Sequence, residues 1–515
     1  MAKYTAINIG PIIGTISLAK RPRELWAASY LFSFFMECII DEIVKTKAKI
    51  ISPALLTSVK DIKKTVGLYP DRVFVESECS DGFDAQKVID AAFVVFTDKT
   101  GIGREYINVM YVTRENESAK GIIKELNHLL DCTELFNRTI ANEQWEKVQN
   151  LIREKQKSPL FEHATDSVES FYIPMLAELA SVQLSSINIK WHDLILEARK
   201  ASDDNDDNFY SKIRESYKTQ FRSFHKYFCV VQADGDNMGK IVSALDLDKI
   251  EKLSVALLQY GSEAGKLIER YGGLPIYAGG DDLLFIAPVV SEYELGENNN
   301  VISLRCIFDL ITEIDKLYKK EVEDVLDTLG RPKDDNNKEL HTSISYGLSI
   351  SYYKYPLYEA LKSARELLFD KAKNVDGKNA IAWCLRKHSG SGFVGSLCKN
   401  SDVYTSFSEL MGTSVDESTV SAIAHKLREN QDLLDIVRRS GRKDRIEAFY
   451  NKVMEESPLD DKSYKGITRN LLWKLFNQEK SKPGDKVKST EEILETLYGM
   501  LRTAKFINGE GDSDE

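Results

Sequence analysis

Paired cysteines are what this sequence most clearly lacks. Its seven cysteines lie scattered at Cys38, Cys79, Cys132, Cys229, Cys306, Cys384 and Cys398, and no two are close enough for a CxxC zinc pair. The odd count argues against a disulfide framework and predicts a reducing, cytoplasmic setting with no structural zinc. Positive charge is also in deficit. Lysine and arginine number 69 against 80 aspartates and glutamates, a net charge of -11. No global field draws nucleic acid, so any RNA contact must come from local patches or from inside an assembly. Long apolar runs are missing too. The longest, "WAASYLFSFFMECII" from Trp26 to Ile40, carries Glu37 and falls short of the ~20 residues that cross a bilayer. It reads as a buried helix, and no membrane partner is expected. The start, "MAKYTAINIG", has no signal-peptide layout. What remains is an ordinary globular composition, 43% hydrophobic and 29% charged, in a chain of 515 residues. That is too long for one core, so several domains are expected.

Two mixed α/β stretches alternate with two helical ones. The first opens with a strand, "YTAINIG". Pro22 then suits the first turn of a helix, and strand-like pieces follow in "AKIISPAL", "DRVFVES" and "INVMYVT", with a helical pattern around Ala85 to Phe93. From about Arg114 to Phe224 the pattern is mostly helical. Its acidic loop, "ASDDNDDN", lacks the glycine and closing glutamate of an EF-hand and reads as solvated. The second α/β stretch has a strand, Tyr227 to Ala233, running straight into Asp234. A helix with Leu253, Leu257, Tyr260, Ala264 and Leu267 on one face comes next, and then a hairpin around Gly279-Gly280-Asp281-Asp282. After the polar "SEYELGENNN" a helix is predicted from Val301 to Val325, followed by a strand "HTSISYGLSISY", a helix "PLYEALKSARELLFDKAKN" and a strand "NAIAWCL". The order β-α-ββ-α-β is that of a ferredoxin-like palm. Beyond Gly392 the chain reads as helical, ending in an acidic, disordered tail. The expected fold is therefore α+β. A first palm spans 1–113, a helical insert 114–225, a second palm 226–390, a C-terminal helical domain 391–507 and the tail 508–515.

The chemistry concentrates in "ADGDNMGK" and "YAGGDDLLFIAP". In a βαββ palm the first strand and the hairpin are neighbours, so Asp234 meets Asp281 and Asp282. Carboxylates that close repel unless something cationic joins them. Oxygen donors clustered in this way suit Mg²⁺ or Mn²⁺, and two such ions can activate an attacking oxygen and hold the leaving one. Gly279 and Gly280 would let a phosphate approach the backbone, with Asp236 and Asn237 as further nucleotide-binding candidates. Lys240, Lys373 and Lys378 are candidate point charges for a triphosphate. A lone GGDD could equally be a solvated acidic turn. The second acidic motif, at the end of an upstream strand, favours the functional reading.

At these residues a resemblance becomes specific. "QADGDNMGK", "YAGGDDLLFIAP" and "SARELLFDKAKNVDGKNAIAW" resemble the cyclase-type palm of nucleotide cyclases and CRISPR polymerases. "INIGPIIGTISLAKRPRELWAASYLFS" resembles the first palm of the large subunit of type III CRISPR effector complexes, in the Cmr branch (type III-B). The resemblance implies an enzyme that converts ATP into an adenylate second messenger, mostly cyclic oligoadenylate, when its complex binds target RNA. One ATP would offer its 3′-hydroxyl to the α-phosphate of another, and pyrophosphate would leave. Asp234, Asp281 and the Gly235 carbonyl would hold metal, with Asp282 assisting. The first palm has "NIGPIIGTI" where the second has acids, and would supply the other nucleotide's pocket. Implied partners are the other subunits, the crRNA and the target RNA.

Many members of that family begin with an HD nuclease domain, whereas this sequence starts at the palm. Its only HD pair, His192-Asp193, lies in "IKWHDLIL" without further metal-ligating company, so DNA cleavage is not expected. Some nuclease-less relatives are associated with adenylylating S-adenosylmethionine, an alternative that the same metal site would serve. A rival of another class is a non-catalytic scaffold of the ribonucleoprotein, and a further one is a stand-alone cyclase using GTP. The densest basic run, "RRSGRKDR" from Arg438 to Arg445, reads first as a solvated helix end and second as a contact for RNA phosphates.

Overall fold

Strand pairing divides the protein's mixed architecture into two main sheets. The computed structural model describes residues 2–134, 145–147, 150, 223–295, 301–454, 460, 462–478 and 489–508, apart from 21, 61, 63–65, 117–118, 335, 353–354, 388–389, 391 and 414–416. The "ASDDNDDN" loop, the His192-Asp193 pair, most of the expected helical insert and the acidic tail lie outside the described residues.

In the first sheet β1 (Ala2–Gly10), β2 (Lys49–Ser52), β3 (Arg72–Glu78) and β4 (Asn108–Asn116) take the order β2-β3-β1-β4, all antiparallel. Helices Pro22–Val44 and Ala85–Thr100 make the two crossovers. Asp84 caps the second of these by accepting from the Gln86 and Lys87 amides, and Gly101 ends it in a left-handed conformation. The Pro22–Val44 helix is apolar almost all round because it is covered on more than one side. Its Trp26, Leu31, Phe35 and Ile39 join Ile7, Ile9, Val73 and Val75 of the first sheet in one buried cluster. Phe228, Ile276, Leu284 and Ile286 of the second sheet belong to the same cluster. Each such side chain removed from water contributes about 1.5–3 kcal/mol. The core thus runs from one sheet to the other.

The second sheet contains β5 (Tyr227–Gly235), β6 (Leu274–Gly279), β7 (Asp282–Pro288), β10 (Ile344–Tyr352), β11 (Ala380–Arg386) and β12 (Gly392–Cys398), in the order β12-β11-β10-β5-β7-β6. Its β6-β7-β5-β10 core repeats the order of the first sheet. Helix Leu247–Tyr271 connects β5 to β6, burying Leu253, Tyr260 and Ala264, and Gly272 closes it in a left-handed conformation. The connection between β2 and β3 reaches across to the β6 edge, where the Ala278 amide donates to the Gly67 carbonyl at 2.9 Å. The Ala54 amide donates to Ser254 Oγ at 2.7 Å nearby.

Two elements differ from the sequence expectation. The helix predicted from Val301 begins at Ile307, because β8 (Val290–Leu295) and β9 (Val301–Cys306) form an antiparallel hairpin first. β-branched residues open β9, and Asp309 accepts from the Cys306 amide at 2.8 Å to start the helix there. The segment after Gly392, expected to be helical, is β12, which pairs antiparallel with β11. Beyond it six helices span Asp402 to Ile507 among the described residues. Trp383 of β11 ties them to the sheet. It stacks on Phe407 at 4.9 Å, and its indole N–H donates to Thr503 Oγ1 at 3.0 Å.

Candidate active site

The end of β5 and the β6–β7 turn meet as the palm order requires. The register pairs Ala233 with Leu283 and Gly279 with Asp282. Continuing it by one residue sets Asp234 across from Asp282. Gly280, at φ 68°, occupies the first central position of a two-residue turn, where a left-handed conformation favours glycine. Nothing lies within 4 Å of where a Cβ on Gly280 would stand, so the outside of the turn is open. Gly235 is needed for the opposite reason. A Cβ there would overlap the Asp281 carboxylate and stand 2.7 Å from the Asp281 Cβ. The two motifs are therefore in direct contact across the strand end.

Electrostatics register the crowding. Burial and then the Asp234 charge push the Asp281 carboxyl up to about 6. Asp282, at the exposed lip of the turn, shifts in the same direction. Desolvation comes first, then repulsion by Asp281 and Asp234, and its side chain is within hydrogen-bond reach of Asp234. These acids hold more negative charge than their surroundings neutralise.

One lysine organises the strand end. Lys373 Nζ donates to the carbonyl oxygens of Asp234 and Gly235 and to Asp236 Oδ1, each at 2.8 Å, and it ion-pairs with the Asp234 carboxylate. Asp236 is its anchor and is completely buried. Ser343 Oγ donates to it at 2.6 Å, Ser345 Oγ at 2.9 Å and the Asn379 amide at 3.0 Å. Burial alone would raise this carboxyl, but the hydrogen bonds from Lys373 and Ser343 bring it below the usual aspartate range. Lys399 and Asp315 form a second, half-buried pair at 2.5 Å, joined by the Tyr346 hydroxyl, which donates to Asp315 at 2.9 Å.

Several expected positions fall elsewhere. Asp236, read from the sequence as nucleotide-binding, is turned inward with its acceptor positions occupied, and positions Lys373. The Gly235 carbonyl, expected to face metal, accepts from Lys373, the nearest positive charge at the strand end. Asn237 spends its side-chain amide on the His341 carbonyl at 3.2 Å. Lys240 is exposed on helix Met238–Ala244, and Lys378 is half-buried at φ 54° in the turn before β11. Neither takes part in the contacts around Lys373. Ser343, Ser345, Asp315 and Lys399 were not singled out from sequence; serines alternating along a buried strand were the available signal. The basic run after Val437 faces its own acids, with Arg439 on Asp435 and Arg442 on Asp444, both at 2.5 Å.

The donor set fits hard divalent cations. Asp234, Asp281 and Asp282 offer only oxygen, converge from two chain segments and remain under-neutralised with Lys373 in place. Among the described residues no group of three or more acidic, histidine or cysteine side chains is arranged to hold a metal ion by itself. The three aspartates would need water and triphosphate oxygens to complete the shell of such an ion. Among the described residues no helix is long and apolar enough to cross a membrane.

Residues 227–382 match the family described as Cas10/Cmr2, second palm domain, and residues 4–100 match CRISPR-associated protein Cmr2, N-terminal. The chain is 30% identical over 195 residues to the CRISPR system Cmr subunit Cmr2 of Pyrococcus furiosus, covering 33% of this chain and 19% of that protein. The alignment thus spans less than a fifth of that relative. In fold the chain is similar to one from the type III-B Cmr-beta complex in its apo state. The TM-score is 0.56 at 12% identity, over 99% of this chain and 82% of that one. A Cmr-beta chain from the complex bound to cognate target RNA gives 0.56 at 11% identity, over 99% and 83%.

Proposed function

We propose that this chain, whose residues 4–100 and 227–382 match the Cmr2 N-terminal and Cas10/Cmr2 second palm families, is a target-RNA-activated nucleotidyltransferase. It makes an adenylate second messenger, cyclic oligoadenylate, from ATP and releases pyrophosphate. Its partners are the other subunits of a type III-B complex, the crRNA and the target RNA. The similar Cmr-beta chain whose complex binds cognate target RNA supports that choice of partners.

The observation that carries the reading is the contact between Asp281 and Gly235, beside Asp234. Three acids crowd one open turn, and a scaffold would gain nothing from their repulsion. Mg²⁺ or Mn²⁺, held by Asp234, Asp281 and Asp282, would neutralise the triphosphate and the departing pyrophosphate. The chain's own residues supply the rest. Gly280 leaves the turn open to a phosphate. Lys373 fixes the Asp234 backbone and side chain, and Asp236 with Ser343 and Ser345 fixes Lys373. The acceptor's 3′-oxygen bonds to the donor's α-phosphorus, the bond to the β-phosphate breaks, and the hydroxyl proton leaves to solvent.

The test is to incubate the assembled complex with target RNA, Mg²⁺ or Mn²⁺ and labelled ATP, with and without S-adenosylmethionine, and to identify products by mass. Oligoadenylate is expected. An S-adenosylmethionine adduct would redirect the acceptor, and no product would leave only a scaffold. Asp281→Ala with Asp282→Ala is expected to remove product, at least ~10³-fold, while the complex still assembles.

A further inference from the structure

The first palm is not empty of acid at the corresponding point. In it the Ile9 amide donates to the Asp71 carbonyl at 3.0 Å, one step beyond the Asn8–Arg72 pair. Asp71 thus stands in the first sheet where Asp282 stands in the second, and Ile9 stands where Asp234 does. The chain leading to Asp71 is docked on the catalytic hairpin through the Gly67–Ala278 hydrogen bond. This brings Asp71 within electrostatic reach of both Asp282 and Tyr277.

Asp71 is half-buried, and among the described residues no lysine or arginine forms an ion pair with its carboxylate. The adjacent Arg72 spends its guanidinium on Asn127 at 2.7 Å, Asp131 at 2.8 Å and Glu134 at 3.0 Å. Burial raises the Asp71 carboxyl, with Arg72 opposing and Glu134 adding to the rise. A carboxyl raised by burial, opposed by one arginine that also serves three other partners and set next to another acid cluster, gains from a hydrogen-bond donor that a ligand would bring. With apolar Ile9 opposite, it is a single acid and makes no metal cage of its own. A hydroxyl donor fits that place.

We propose that Asp71 holds the acceptor nucleotide from the first-palm side, accepting the hydrogen bond of its ribose 3′-hydroxyl and aiming that oxygen at the donor phosphate above the Gly280 turn. The inference rests on the nucleotidyltransferase reading.

The experiment uses the full chain in its assembled complex, with Asp71→Ala and Asp71→Asn, and 3′-deoxy-ATP as competitor. Asp71→Ala is expected to lower kcat/KM for ATP by about 10²-fold, with Asp71→Asn, which keeps an acceptor oxygen, in between. As a competing binder, 3′-deoxy-ATP should bind the wild type more weakly than ATP does, and Asp71→Ala should bind the two with equal affinity. A merely structural role would lower thermal stability and leave that preference intact, and this outcome overturns the proposal. So does a wild-type rate in Asp71→Ala. A wild-type complex that makes no product at all sinks the functional reading and takes this inference with it, whereas an active wild type matched by Asp71→Ala sinks the inference alone.

Discussion

The two palms share a strand order and differ in what occupies the same place. In each, the end of the first strand lies against the start of the third. In the second palm that junction is Asp234 and Gly235 against a two-residue turn carrying Asp281 and Asp282. In the first it is Ile9, 2% exposed, and Gly10 against a long connection that ends in Asp71. The topology brings two distant chain segments together in both cases. Whether the meeting point is an apolar core or a cluster of acids is decided by three side chains and the length of one turn. Under the proposed function the difference also divides labour: the acid-rich palm would hold ions and a donor triphosphate, and the apolar one would offer a wall with a single carboxylate.

Removing Lys373 breaks this contrast most severely. Lys373→Met leaves Asp236 buried without its cation and frees the Asp234 end of the strand. Stripping one partner from a buried ion pair costs about 3–5 kcal/mol, and loss of a positioned site costs activity by ~10²-fold or more. Denaturant unfolding and product formation should therefore both fall. Lys373→Arg is expected to recover part of the stability and little activity, because a planar guanidinium does not replicate an ammonium shared among three oxygens at 2.8 Å. Wild-type turnover in Lys373→Met would detach Lys373 from the site.

A methyl group added at the matching glycines sharpens the contrast. Gly235→Ala must displace Asp281, since the new Cβ meets both its carboxylate and its Cβ, and a shift of this kind is expected to cost about 10²-fold in activity. Gly10→Ala meets nothing within 4 Å and should change activity less than ~2-fold, with stability within about 0.5 kcal/mol. Parallel kinetics and thermal unfolding of the two variants read the difference directly. Equal losses would mean that the strand ends matter for folding alone.

How much of this was legible depended on whether the information was local. The GGDD turn is local, because glycine at a left-handed position and acids beside it are written in adjacent residues. The closeness of Asp234 follows from the βαββ order, which the strand and helix periodicities disclose. The Lys373 network is not local. In sequence Lys373 is one of several lysines near a helix end. Its partners Asp236, Ser343 and Ser345 come together only through the pairing of β5 with β10, which sets Ser345 against Asp234. β9 and β12 were misread for a related reason. Each is short, and what makes it a strand is a partner's edge, β8 or β11, that no window along the sequence contains. Asp71 was hidden because its significance lies in a comparison of two registers.

The smallest effect expected is on stability against pH, and it separates two acids within one palm by sign. Asp281 is raised to about 6 by burial and by Asp234, against an unfolded value near ~3.9. Between those values the folded metal-free protein holds a proton that the unfolded chain has released. Its contribution to stability is therefore full below about pH 4 and is lost as pH rises through about 6. Asp236 is lowered, so its contribution is present above the unfolded value and fades as pH falls through the folded one. Thermal unfolding of metal-free protein between pH 4 and 8 should show the first trend in the wild type and a flatter profile in Asp281→Asn. The difference is read in degrees of melting temperature, since ~1 kcal/mol moves a domain of ordinary size by about 2–4 °C. Protons and divalent ions compete for the same oxygens, so stabilisation by Mg²⁺ with ATP should grow across the window in which Asp281 releases its proton. Identical profiles for wild type and Asp281→Asn would mean that the acids at this turn are solvated like any surface carboxylate, and the contrast between the palms would then rest on shape alone.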